Sequence, residues 1–148
     1  MNKKNDSIAK KAYVEELKKK GFSNIRITSA PADICAEKDG YTYYFEIKMT
    51  RQPKKYFGAA TLTEWEQAIK DPEHYRFVVA LQSEDDLITR FIEFEPDEFM
   101  KYSSIPPFKI FFNLDLQAQD NSRKDDSIRV TKDKIEQMVD FYKKIIHK

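Results

Sequence analysis

Three glycines, one cysteine, two histidines and one tryptophan are all that 148 residues provide of those types, and each shortage excludes something. Three glycines leave no glycine-rich phosphate loop. A single cysteine, Cys35, allows no internal disulfide, and its place in a strand-like run marks it as a small buried thiol. His74 and His147 have no second histidine or cysteine at ligand spacing, which argues against zinc, and Ser103-Ser104 has no histidine partner at a recognisable spacing. No apolar run approaches the roughly 20 residues of a membrane helix. The opening Met1-Asn2-Lys3-Lys4-Asn5-Asp6 also lacks the apolar stretch of a secretory signal, so no membrane association is expected and the cytoplasm is the expected location.

Excess charge of one sign is missing too, since the net is +1, and this argues against a strongly basic nucleic-acid binder. The distribution is uneven. Residues 1–56 hold 13 Lys/Arg against 7 Asp/Glu, whereas residues 57–148 hold 13 against 18. A phosphate-bearing partner met by one side of the molecule would suit that asymmetry, and lysines on a solvated helix face would explain it as well. With 41% hydrophobic and 34% charged residues, the chain is expected to fold as one soluble domain over 1–148.

Patterning predicts a helix over Ser7 to Lys20, capped by Asp6 or Ser7 and ended by Gly21, with Ile8, Ala12, Val14 and Leu17 as its apolar stripe. A short strand over Ile25 to Thr28 follows, then two strands, Ala32 to Lys38 and Tyr41 to Met49. Thr50 to Thr61 reads as a loop. Thr61 or Thr63 caps a helix through Leu62, Trp65, Ala68 and Ile69, stopped by Asp71-Pro72. Tyr75 to Gln82 is continuously apolar and reads as a central strand, and Ile88 to Phe94 alternates. Trp65 reads as core. A helical turn is expected near Pro96, a strand over Lys109 to Leu114 after Pro106-Pro107, and a polar stretch from Gln117 to Asp126. A last helix starts at Thr131 or Asp133 and carries Ile135, Met138, Val139, Tyr142, Ile145 and Ile146 on one side, as packing on a sheet or a partner requires. The fold class is mixed α/β (α+β), a central mixed sheet flanked by helices.

Asp39-Gly40 favours a two-residue hairpin turn. Taken as the central turn residues, they pair Lys38 with Tyr41, and counting outward sets Asp33 opposite Glu46. Like charges facing each other at about 5 Å are destabilising unless a cation lies between them. Alternation puts Lys48 on the same face as both acids. The plainer reading is a solvated hairpin face on which Lys48 balances two carboxylates.

Helix, strand, hairpin, helix and strand in that order, with Pro31-Ala32-Asp33 and Glu46-Ile47-Lys48, resemble the PD-(D/E)xK nuclease superfamily, the restriction-endonuclease-like fold, over residues 7–82. The helix start Thr61-Leu62-Thr63-Glu64-Trp65-Glu66 also looks like members related to restriction enzymes of modified DNA. The resemblance implies a Mg²⁺-dependent nuclease that hydrolyses DNA phosphodiester bonds, in restriction, defence or repair, with Mn²⁺ able to substitute. It makes Asp33, Glu46 and Lys48 catalytic, and Asp33, Glu46 and the main-chain carbonyl of Ile47 the metal ligands. Members often carry a glutamate on the first helix about seven residues before a leucine. Here that step from Leu17 lands on Lys10, so Glu15 and Glu16 are the nearby substitutes and Glu16 is the candidate extra ligand. Lys54 and Lys55 would meet DNA phosphates, whereas Glu64, Glu66 and Gln67 read more simply as the polar face of a surface helix. The alternative is a catalytically inactive module of the same fold that binds nucleic acid or a partner protein, with the last helix as the surface for that partner or for a second copy.

Overall fold

The computed structural model describes residues 3–52, 54–106, 109–112, 114–117 and 129–146. By its contacts the chain, expected to form one domain over 1–148, divides into two compact units, Met1–Ser104 and Ile105–Lys148. The first unit runs α1 (Lys3–Lys19), β1 (Ser23–Ile27), β2 (Ile34–Lys38), β3 (Tyr41–Thr50), α2 (Leu62–Lys70), β4 (Tyr75–Gln82), β5 (Ile88–Phe94) and α3 (Pro96–Met100). The strands form one mixed sheet in sequence order, antiparallel throughout except for the parallel β3–β4 pair. A parallel pair needs a crossover, and α2 supplies it. The expected fold class is the one observed.

Local chemistry sets the boundaries. Helix α1 begins a turn before the expected start, because Asp6 lies within its first turn and pairs with Lys10 at 2.9 Å, where an acid suits both the i,i+4 step and the helix dipole. Its buried stripe is Ala9, Tyr13 and Leu17, one position off much of the expected one, so the Tyr13 ring faces the core and packs edge-on against Phe45 and Phe91. Gly21 ends the helix at φ +87°. At the hairpin tip Asp39 and Gly40 both have positive φ, 53° and 82°, the pairing a two-residue primed turn requires. Lys38 faces Tyr41 and Ile34 faces Phe45, in the expected register.

The sheet is covered on both faces. Ile34, Ala36, Phe45, Ile47, Val78 and Ala80 pack with α1, while Tyr75 and Phe77 pack with Ala68 and Trp65 of α2 and Phe99 of α3. Trp65 lies 4.7 Å from Phe77, ring to ring, as a core residue. Alternation along β3 therefore carries Glu46 and Lys48 under the α2 side.

In the second unit α4 (Lys132–Ile146) starts beside Thr131, whose Oγ1 accepts from the Lys134 N–H at 3.3 Å. None of its residues is buried, its apolar stripe included. The strand expected over Lys109 to Leu114 is not formed by its described residues. These carry large apolar side chains that are largely exposed, Phe111 and Phe112 among them, and without a neighbouring strand the run has no ladder to join. Beyond Gln117 the expected polar stretch lies outside the described residues, as does His147. Among the described residues no helix is long and apolar enough to cross a membrane.

Candidate metal centre

The β2–β3 ladder closes at Ile34 and Phe45, so Asp33 stands just beyond its end with its side chain free of the pleat. Its Oδ2 accepts the Ile47 N–H at 2.9 Å. In an antiparallel strand the N–H and C=O of one residue leave toward the same neighbour, so the Ile47 carbonyl is directed to the same open edge. Glu46 is only 8% exposed. Burial first, then the negative charge of Asp33 beside it, push the Glu46 carboxyl up to about 8, against the pull of Lys48. Burial beside a like charge thus favours the protonated form of Glu46.

Lys48 lies between two acids, with its Nζ 3.4 Å from Glu46 Oε2 and 2.7 Å from Glu64 Oε1. Burial alone would lower its pKa, but the bond to Glu64 and the charge of Glu46 more than reverse that. The group is a fixed cation and not a proton acceptor. The solvated hairpin face is thereby excluded, since the Lys48, Glu46 and Glu64 side chains are 17%, 11% and 13% exposed.

Glu64 reads from sequence as part of a surface helix face, and the structure places it inside the cluster. It is the third residue of α2, where it completes a capping box with Thr61: the Glu64 N–H donates to Thr61 Oγ1, and the Thr61 N–H donates to Glu64 Oε1. Thr61-Leu62-Thr63-Glu64 is the sequence signature of such a box. That signature fixes the helix start and is silent on what lies beneath it. Glu64→Ala should cost about 1 kcal/mol for the cap and also leave Lys48 without its nearest anion. Thr61→Ala should cost the cap alone, so unfolding midpoints of the two variants against the parent separate the two roles.

Lys10 is the other arrival. Its Nζ is 3.3 Å from Asp33 Oδ1 while holding Asp6, so the position at which the resemblance expects an acid supplies a cation. Glu16 lies six residues farther along α1, about 9 Å at 1.5 Å per residue, where its charge acts on the Tyr13 phenol. The helical pitch that brings Lys10 to Asp33 takes Glu16 elsewhere, so Glu16 does not join the cluster. Lys54 and Lys55 are exposed on the loop between β3 and α2. His74 pairs with Asp71 at 2.8 Å and stacks on Tyr41, a structural engagement.

Two acids and a carbonyl suit a hard ion that keeps several waters. Among the described residues no group of three or more His, Cys, Asp or Glu is arranged to hold a metal. The donors that are present nonetheless fit Mg²⁺: the charge of Asp33 acts on the buried Glu46 carboxyl, with the Ile47 carbonyl on the same edge.

Residues 5–92 match the family model described as Protein NO VEIN, C-terminal. The matched stretch is more than half of the chain and contains Lys10, Asp33, Glu46, Ile47, Lys48 and Glu64. No curated protein and no solved structure gives a significant match. The chain belongs to the Protein NO VEIN C-terminal family.

Proposed function

We propose that this member of the Protein NO VEIN C-terminal family is a Mg²⁺-dependent nuclease of the PD-(D/E)xK type acting on DNA in the cytoplasm. The observation that carries the reading is the meeting of Asp33 and Glu46 with the Lys48 ammonium at one buried point, on the fold class the motif calls for. The family's association with restriction-endonuclease-like proteins supports it. Asp33, Glu46 and the Ile47 carbonyl would hold Mg²⁺, with Mn²⁺ as a substitute. The ion, when bound, supplies charge neutralisation and a water of lowered pKa. The Ile47 N–H orients Asp33, while Glu64 and Glu46 fix the Lys48 ammonium where it can donate to a non-bridging phosphate oxygen as negative charge grows there. Because Lys48 stays protonated, it stabilises charge and takes no proton.

One observation favours the second reading, a catalytically inactive module that binds nucleic acid or a partner protein: Lys10 already neutralises part of Asp33. In either case the exposed apolar stripe of α4 is the surface offered to a second copy or a partner protein. Incubation with plasmid, linear duplex, single-stranded DNA and RNA, each with Mg²⁺, Mn²⁺ or chelator, decides between the readings. Cleavage of DNA that chelator stops is the expected result. A folded protein that cuts none of them with either ion belongs to the inactive reading.

A further inference from the structure

The loop between β3 and α2 begins at Arg51, three residues after Lys48, and returns at Thr61, three residues before Glu64. Since Lys48 and Glu64 are 2.7 Å apart, the loop leaves the sheet and enters α2 beside the site. Its sequence from Arg51 to Thr61 has three cations and no acid. Arg51 is paired with Asp86, which leaves Lys54 and Lys55 exposed. Next to them Phe57 is 100% exposed, and Tyr56 is 40% exposed. Burial raises the Tyr56 phenol pKa against the opposing charge of Lys48, which sets that ring in the field of the cluster. Gly58 lies against the same ring: a Cβ there would stand 2.8 Å from Tyr56 Cε1, so a side chain at that position would push the ring aside.

A wholly exposed phenylalanine is costly in water and gains no packing. Two lysines, an aromatic whose phenol feels the Lys48 charge and a second aromatic fully exposed match the chemistry of unpaired nucleic acid, in which phosphates meet cations and bases stack on rings. A duplex hides the faces of its bases, so a projecting ring finds a stacking partner only where a base is unpaired. We propose that Lys54, Lys55, Tyr56 and Phe57 form a platform for an unpaired nucleotide, and that the preferred substrate is single-stranded DNA or a duplex with a single-stranded end. The proposal rests on the nuclease reading for its placement beside a scissile phosphate, but its test does not depend on cleavage.

Fluorescence anisotropy in chelator, with a labelled single-stranded oligothymidylate and a labelled duplex of equal length, provides that test on the full chain. Phe57→Ala, at a residue with no packing to lose, should weaken single-strand binding about 5- to 160-fold, the effect of losing one stacked base, and leave duplex binding within about twofold. Lys54→Ala with Lys55→Ala should weaken both ligands and reduce the single-strand salt slope by about 1.4, the value for two phosphates. Wild-type protein that does not bind single strands, unchanged binding by Phe57→Ala, or an equal loss on duplex would overturn the proposal. An equal loss would mark Phe57 as a duplex wedge, and unchanged binding would mark it as a partner-protein contact. If the parent cuts no nucleic acid while Phe57→Ala still loses single strands, the nuclease reading falls and the platform stands. If the parent cuts DNA and Phe57→Ala binds normally, the platform alone falls.

Discussion

Lys48→Met should lower Mg²⁺-dependent cleavage by about 10²–10³-fold, the usual loss when one preorganised donor to a developing oxyanion is removed. It should also destabilise the fold by roughly 2–3 kcal/mol, because removing the cation leaves Glu46 and Glu64 as neighbouring, largely buried acids; the proton that Glu46 takes up keeps the loss below that of a fully buried pair. The two effects have different remedies. In the double variant Lys48→Met with Glu64→Gln the orphaned anion is gone, so stability should recover by at least half while cleavage stays low. Urea unfolding and initial cleavage rates on the parent and both variants check this. Recovery of activity together with stability would mean that Lys48 serves the fold and not the phosphate.

The second large effect is a dependence on pH in metal-free protein. Glu46 binds its proton more tightly when folded, with its pKa pushed to about 8, than it does in the unfolded chain. Between the ordinary glutamate range and pH 8 the folded state keeps a proton that the unfolded state gives up, so raising the pH favours unfolding across that window and the loss levels off above it. At about 1.4 kcal/mol for each pH unit of that window, the total is on the order of a few kcal/mol. In chelator, Glu46→Gln should flatten this decline, and Asp33→Asn should reduce it by removing the charge that adds to burial. Denaturant midpoints at pH 5, 7 and 9 give the comparison, and parallel profiles for parent and Glu46→Gln would show that the acid pair is not under strain.

What the sequence makes legible is what local rules control. Asp39-Gly40 sets a turn, the turn sets a register, and alternation along ten residues of β3 then assigns Glu46 and Lys48 to one face with no knowledge of the rest. Asp33 follows in the same way, although it reaches Glu46 from beyond the ladder. Glu64 escapes a local reading because its approach to Lys48 depends on the parallel β3–β4 pair and the crossover through α2, a long-range arrangement that no local pattern encodes. Lys10 at Asp33 and Glu16 away from it depend on the rotation of α1 over the sheet, which the expected apolar stripe, one position off, does not fix. The run over Lys109 to Leu114 has strand composition without a neighbour to pair with, and strand propensity alone does not build a strand.

That Asp33 and Glu46 together receive a divalent ion is checked by calorimetric titration of Mg²⁺ or Mn²⁺ into chelator-stripped protein. One ion per chain should bind in the millimolar range or tighter, releasing protons at pH 7 as Glu46 gives up its own, and Asp33→Asn should abolish the signal. A folded parent that takes up no ion in that range, or an Asp33→Asn variant that binds as the parent does, would contradict it.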